Sequence, residues 1–267
     1  MTETTVQTRD VDAITQIACA SASPSSLSDN DRACSPDSRF RALLGAVAWA
    51  SLSPAVRARF ARRAGPGQAI TYVGTIVACH ATMLGWLLAQ LCRAIGAPLP
   101  LHRDIDVPAI VSVTEDAATG GQIWTRVYGR RDGFPQVIHS SKRFAGPTGL
   151  EEYLGRGVAI ALTMRVDAGA LIFRSAHYVL CVGRWRLRLP WLLGPGALTI
   201  THADRGNGRF AFILSLRHPV LGRLLEQTGI YREYTDPGTK EIAHDHDPVA
   251  GAAIADGDGS VRYDLSS

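Results

Sequence analysis

Two adjacent carboxylates stand out among the side chains whose types and spacing suit chemistry. Glu151 and Glu152 follow a connection, residues 142–150, that contains two glycines and a proline. Either carboxylate could act as a general base, with Tyr153 or His177 assisting. Neighbouring side chains of an extended segment point to opposite faces, so the two carboxylates are not expected to share a proton. The alternative is a structural loop in which both glutamates pair with nearby arginines.

A row of arginines forms the second candidate site. Arg184, Arg186 and Arg188 alternate with Trp185 and Leu187. A strand would therefore place the arginines on one face and the apolar side chains on the other. The planar fork of a guanidinium suits phosphate and carboxylate groups. We expect this row either to hold an acidic headgroup or to form a solvated basic face over a packed one.

Metal and cofactor chemistry finds no support in the sequence. The five cysteines include no Cys-x-x-Cys pair, and no glycine pattern matches a phosphate loop or a Rossmann turn. The tract 244–247, His-Asp-His-Asp, lies in an acidic, Gly-rich segment and is typical of a solvated charge run. We expect neither a metal nor a cofactor.

The charge of the chain divides it into three parts. Residues 38–235 contain 23 Arg and one Lys against 11 acidic side chains, a net charge of +13, whereas residues 1–37 sum to −4 and residues 236–267 to −5. We predict one globular domain over residues 38–235 between a disordered acidic, Ser-rich arm and a disordered acidic tail. The surplus arginine suits anionic partners. Nucleic acid is not expected, because no helix-turn-helix, zinc finger or Lys-rich arm is present.

Helical periodicity is confined to the first hundred residues. Apolar positions predict a helix from residue 38 to about residue 50, and Ser53-Pro54 begins a second helix. A strand is predicted over residues 70–79. The next helix, residues 80–95, is apolar around much of its circumference, which favours burial on more than one side. It is shorter than the roughly 20 residues that span a bilayer.

From residue 107 onward the hydrophobic period changes to two. On the first two runs the alternating side chains are Val107, Ala109, Val111, Val113, Ile123, Thr125 and Val127. Short turns such as residues 167–169 join successive runs, which is typical of antiparallel hairpins. The sequence therefore predicts an α+β fold. It would be a strongly curved antiparallel β-meander of eight to ten strands, packed on the long apolar helix, with two N-terminal helices closing one end.

The N-terminal residues lack a basic region followed by an apolar run, so a signal peptide is not predicted and a cytoplasmic location is expected.

Seven short blocks occur in an order that is itself distinctive. They are FRALLG (40–45), SPAVR (53–57), KRFAGPTGLEEY (142–153), GALIFRS (169–175), RLRLP (186–190), PGALT (195–199) and HPVLG (218–222). Together they resemble the bacterial family described as domain of unknown function 4166, over about residues 38–235. Some of its domains are similar to C-terminal extensions of NAD(P)-binding proteins of the saccharopine-dehydrogenase-like or epimerase-like kind. Because this chain contains no Rossmann glycine pattern, any NAD(P)-binding dehydrogenase-like partner that the resemblance implies would be a separate protein. The resemblance supplies no activity.

Three functions fit these features. The preferred one is a non-enzymatic binding or carrier domain for an amphipathic anion such as a lipid. The alternatives are an interaction module for a dehydrogenase-like partner or an anionic membrane surface, and a small enzyme that uses Glu151 or Glu152 as acid or base. In the preferred hypothesis the ligand contacts come from an apolar set and from the arginine row: Phe173, Phe210, Phe212, Leu214, Arg184, Arg186 and Arg188.

Overall fold

Ten antiparallel strands close into a barrel in the computed structural model, which describes residues 35–190 and 194–235. The barrel strands are β3 (Ile70–Ala81), β4 (Val107–Asp116), β5 (Gly121–Tyr128), β6 (Gln136–Arg143), β7 (Glu151–Gly155), β8 (Val158–Asp167), β9 (Ala170–Val182), β11 (Ala197–Asp204), β12 (Arg209–His218) and β13 (Gly222–Glu233). Their order is β9-β11-β12-β13-β3-β4-β5-β6-β7-β8, and pairing of β8 with β9 closes the ring. The short strand β10 (Trp185–Arg188) pairs with the end of β9 outside the ring.

The helices are short and lie between the strands. They are α1 (Arg39–Leu44), α2 (Ala46–Ala50), α3 (Pro54–Phe60) and α4 (Met83–Leu91), which continues into a 3₁₀ turn (Cys92–Ile95). Two-residue strands β1 (Ser35–Pro36) and β2 (Arg62–Arg63) pair beside them. The side chain of Ser53 accepts a hydrogen bond from the Val56 N–H and so caps α3, while Thr82 caps α4 through the Gly85 N–H.

The two ends of the barrel differ. Helices α1 to α3 lie at the end where β8 turns into β9, and Ser53 N there donates to the Gly169 carbonyl at 2.9 Å. Phe40 and Phe60 pack edge to face with a centroid distance of 5.2 Å, and both contact the barrel residue Phe173. We call this the closed end. Helix α4 lies in the β3–β4 connection at the opposite end, which we call the open end.

The predicted meander packed on a long apolar helix is wrong. The helix predicted over residues 80–95 begins only at Met83, because residues 79–81 extend β3 by pairing with β13 residues 225–227. Only Gly85 and Ala89 of α4 are buried. Inward side chains of the strands themselves form most of the core inside the barrel, so no helix is needed inside it. Cross-strand pairing, which has no local signal, takes residues 80 and 81 into β3, while residues 83–95 form α4 and its 3₁₀ turn.

The predicted acidic arm and tail lie almost wholly outside the described residues. Of the arm, residues 35–37 are described, and Asp37 is buried with both carboxylate oxygens accepting hydrogen bonds from Arg39. Within the described parts of the chain, no helix has the length and apolar character that crossing a membrane requires. The predicted location stays a prediction.

Candidate functional site

An apolar cavity of about 470 Å³ opens beside α4 at the open end of the barrel. Such a volume falls in the range of small-molecule sites, roughly 300–1,000 Å³. Helix α4 contributes Leu84, Leu87, Leu88 and Leu91 to its wall. The strands supply the opposite wall from their inward positions: Leu154, Val158, Ile160, Leu198, Ile200, Leu214 and Leu216.

Two charged side chains interrupt this apolar lining. Arg126 of β5 and Glu152 of β7 both line the cavity, and both are almost completely buried. Arg126 faces inward because Trp124 and Tyr128, its neighbours two residues away on β5, also face the core. A cavity with an apolar wall and a few convergent polar groups has the composition of a ligand site.

Glu152 is the centre of a hydrogen-bonded cluster. Its Oε2 accepts from Lys142 Nζ at 3.1 Å, and its Oε1 accepts from the Ser140 hydroxyl at 2.7 Å. Arg126 Nη2 donates to Glu152 Oε1 at 3.4 Å and to Ser140 Oγ. Lys142 also lies over the rings of Trp124 and Phe173, at 4.7 and 5.3 Å from their centroids. We call Arg126, Ser140, Lys142 and Glu152 the interior charge cluster.

The basic side chains of the interior charge cluster favour the ionised form of Glu152. Burial alone would raise the pKa of Glu152, but Lys142, Arg126 and the Ser140 hydrogen bond outweigh burial and lower that pKa to about 2. Burial, opposed by Glu152, lowers the pKa of Lys142. The cluster thus contains two basic side chains and one carboxylate. Because Lys142 already pairs with Glu152, Arg126 is the surplus cation.

Arg126 has unused hydrogen-bonding capacity. Its hydrogen bonds to Ser140 and Glu152 both leave from Nη2, and among the described residues its buried Nε has no partner. Buried polar groups in folded proteins are nearly always hydrogen-bonded, so such an arginine suggests a missing acceptor. An anionic group entering the cavity would supply both the acceptor and the balancing charge.

The four predicted catalytic residues are not brought together. Glu152 faces the cavity, whereas Glu151, which is equally buried, does not line the cavity and binds Arg186. Tyr153 accepts a hydrogen bond from the Gly157 N–H and lies under the guanidinium of Arg143, which is 3.9 Å from its ring centroid. His177 lies in the bulged part of β9, opposite Ala161. Pairing of both glutamates with basic side chains, the structural alternative, is observed.

The predicted arginine row and phenylalanines lie apart from the cavity. Arg184, directly before β10, and Arg186 and Arg188 on β10 are exposed, and none of the three lines the cavity. Phe173, Phe210 and Phe212 are buried toward the closed end around His202. Leu214 does line the cavity. Sequence reasoning missed Arg126, whose only signal was a charged residue alternating with Trp124 and Tyr128.

His202 occupies an unusual position behind the interior charge cluster. Its ring contacts Phe60 and Phe212 edge to face, with centroid distances of 5.0 and 5.2 Å. Neither ring nitrogen has a hydrogen-bond partner in the described structure. Burial, together with Arg59 and Lys142, holds its pKa well below the usual value, so the ring is neutral at pH 7.

Metal-binding geometry is absent from the residues that the structure describes. No group of three or more His, Cys, Asp or Glu side chains there could hold an ion. The described cysteines, Cys79, Cys92 and Cys181, are free thiols. The tract 244–247 lies outside the described residues.

Comparison with protein families gives one match. The model of the family described as Domain of unknown function (DUF4166) matches residues 52–230, which is most of the described barrel. The chain belongs to this family. The matched residues include the cavity lining and the interior charge cluster of the DUF4166 barrel. Helices α1 and α2 of the closed end precede the match. No curated protein and no solved structure matches the chain. The family description names no function, and the cavity is the feature of the structure that indicates one.

Proposed function

We propose that this DUF4166 barrel is a binding or carrier protein for an amphipathic anion with an apolar chain and a carboxylate or phosphate head. The apolar chain would lie along the leucines of α4 and the inward side chains of β8, β11 and β12. The head would accept hydrogen bonds from Arg126. The observation that carries the proposal is the surplus buried cation at the wall of an otherwise apolar cavity.

Arg126 removes a difficulty of the arginine-row hypothesis. Arg184, Arg186 and Arg188 are exposed and none of them lines the cavity, so an acidic head held there would not lie in the cavity itself. Arg126 instead shares the cavity with the apolar wall. One ligand can therefore satisfy the guanidinium and bury its chain at the same time.

The enzyme alternative receives less support from the site. A general base works best when its pKa lies near the operating pH, and the pKa of Glu152 is lowered to about 2. Tyr153 and His177 contact other parts of the barrel and do not reach the cavity lining. The dehydrogenase-like partner stays a prediction, since no described surface is specific for it.

The proposal is tested by displacement of a dansyl-labelled fatty acid from the full-length protein. Oleate and lysophosphatidic acid represent the two heads, and oleyl alcohol is the uncharged reference. Arg126→Met should weaken binding of the preferred acid at least tenfold, since a hydrogen bond to a charged group contributes about 1.5–3 kcal/mol. Binding of the alcohol should change little.

The matched control is Arg205→Met, which removes an exposed arginine from the β11–β12 turn at the closed end. It should bind like the wild type. Failure of the wild type to bind either acid, or equal binding by Arg126→Met, would overturn the proposal. A preference for oleate or for lysophosphatidic acid identifies the head.

A further inference from the structure

The large exposed apolar side chains of the described residues concentrate at the open end of the barrel. The exceptions are Leu43 and Val47, which lie in or beside α1 and α2 at the closed end. The others occupy α4, the ends of strands that reach the open end, and the turns between them. Contiguous exposed apolar surface on a folded protein usually marks a contact with a protein or a membrane.

Those of α4, β10 and the β12–β13 turn lie around the mouth of the cavity. Leu84, Leu87 and Leu91 of α4 line the cavity and are also 48–66% exposed, and Leu221 in the β12–β13 turn lines it and is 49% exposed. Leu189, directly after β10, lines it too, so β10 lies beside the mouth. We define the apolar rim as Met83, Leu84, Trp86, Leu87, Leu91, Trp185, Leu187, Val220 and Leu221.

The segments that carry the apolar rim are basic. Residues 83–95, 183–189 and 217–223 contain six arginines and no acidic residue. Arg184, Arg186 and Arg188 alternate with Trp185 and Leu187 on β10, while the β12–β13 turn is flanked by Arg217 and Arg223. Two of these six have acidic partners outside the segments, Glu151 and Glu226. The rim therefore presents an apolar ring with a net positive border.

Two tryptophans belong to the apolar rim. Trp86 is 42% exposed and Trp185 is 63% exposed. Tryptophan is enriched at the boundary between hydrocarbon and water because its ring is apolar and its N–H is polar. Leucine, tryptophan and arginine on one surface are the composition of segments that lie in the headgroup region of an anionic bilayer.

We propose that the apolar rim docks on an anionic lipid bilayer, so that the cavity faces the membrane from which its ligand enters. This inference rests on the proposed function only for the reason why the protein would dock, which is ligand entry. Docking itself is measured independently of ligand binding. Charge complementarity selects the partner: anionic headgroups match the arginine border, and the acyl region matches the side chains of α4. Exposed leucines that also line the cavity would make an apolar path from the bilayer to the site.

Docking is tested by sedimentation of the full-length protein with vesicles of phosphatidylcholine, with or without phosphatidylserine. The wild type should bind the phosphatidylserine vesicles more strongly. Binding should fall when salt rises from about 0.1 M to about 1 M, because the Debye length shortens from about 10 Å to about 3 Å. Equal binding to both vesicles at both salt concentrations would overturn the arginine part of the proposal.

The rim variant Met83→Ser/Val220→Ser removes two side chains that are 80% and 77% exposed and do not line the cavity. It should lose at least about tenfold in vesicle affinity. The control Val47→Ser changes a side chain that is 88% exposed at the closed end, and it should bind like the wild type. Unchanged binding by the rim variant, or no vesicle binding by the wild type, would overturn docking. In the latter case, a protein partner would become the occupant to seek.

Failure of docking and failure of the proposed function remain distinguishable. The rim variant should still bind the dansyl-labelled fatty acid in solution, because its cavity lining is intact. If the protein docks through the rim but Arg126→Met binds ligand as the wild type does, the docking proposal stands and the head site at Arg126 is wrong. If the protein binds ligand through Arg126 but does not bind vesicles, the proposed function stands and the docking proposal is wrong.

Discussion

Lys142 Nζ donates to Glu152 Oε2 at 3.1 Å inside the barrel, where both side chains are almost fully buried. The second cation, Arg126, is 3.4 Å from the other carboxylate oxygen. This relationship divides the cluster into a neutral pair and a surplus charge. It makes Lys142 a structural residue and leaves Arg126 available to a ligand.

Lys142→Met should destabilise the protein far more than Arg126→Met. Without Lys142 the buried Glu152 keeps only the longer contact to Arg126, and breaking a buried ion pair typically costs about 3–5 kcal/mol. Without Arg126 a neutral pair remains, so the loss should be about 1 kcal/mol, the value of an ordinary hydrogen bond. Urea unfolding of both variants measures the difference. Equal losses would show that Arg126 is needed for folding and is not a surplus charge.

Glu152→Gln should have the opposite effect on ligand binding from Arg126→Met. Removing the only carboxylate of the cluster leaves two cations in the cavity wall, which strengthens attraction for an anionic head. The same change should cost about 3 kcal/mol of stability or more, since Lys142 loses its partner. Displacement titrations on the folded fraction measure binding. Weaker binding of the acid by Glu152→Gln would contradict the assigned charges.

Acid should destabilise the barrel in two steps. The folded-state pKa of His202 lies below its unfolded value near 6.5, so the unfolded state binds more protons and stability falls as pH drops below about 6.5. The pKa of Glu152 is about 2 in the folded state against 4.5 unfolded. Its stabilisation is complete above pH 4.5 and is lost as pH falls toward 2. Chemical denaturation across about pH 2–8, which covers both steps, tests this.

His202→Leu isolates the first of these steps. It should flatten the decline between about pH 6.5 and pH 5, because no ring remains to be protonated. At pH 7 the change should be neutral or stabilising within about 1 kcal/mol, since two buried nitrogens without partners are replaced by an apolar group. The exposed His80→Leu is the control and should keep the acid step. A His202→Leu protein with an unchanged acid profile would show that other groups cause the decline.

Gly85→Ala should loosen the mouth of the cavity. Gly85 packs against the backbone of Leu224 in β13, and a Cβ there would overlap the Leu224 carbonyl oxygen. Helix α4 would have to move away from β13, at a cost of roughly 1–3 kcal/mol. Stopped-flow measurement should show faster release of the fluorescent fatty acid. Met83→Ala on the same helix meets no such overlap and should leave the release rate unchanged. Equal release rates in the two variants would contradict a role of the α4–β13 contact in retaining the ligand.

Much of the strand pattern could be predicted from the sequence because it is local. The run beginning at Val107 and the turn at residues 167–169 appear as β4 and the β8–β9 hairpin. Closure could not be predicted in the same way. It depends on β13, which pairs with its hairpin neighbour β12 on one side and with β3, the first strand of the barrel in the chain, on the other. Such pairing joins residues far apart in the chain and leaves no periodic signal.

Glu152 and Leu214 were among the predicted site residues, but Arg126 was missed because both faces of β5 are apolar enough to be inside. The sequence pattern favoured Ile123, Thr125 and Val127, whereas the structure turns Trp124 and Arg126 inward. A one-residue change of register exchanges the two faces of a strand. Burying a charged side chain on an inward face costs free energy unless the charge is paired or binds a ligand. The local sequence pattern does not show whether such a partner is present.

The most direct test of the central claim is native mass spectrometry of the full-length protein after gentle purification, followed by solvent extraction. The account predicts a stoichiometric extra mass in the wild type, extracted as an amphipathic acid, that is lost or much reduced in Arg126→Met and retained in Arg205→Met. A wild-type protein that carries no extra mass and takes up none when given oleate or lysophosphatidic acid would contradict it.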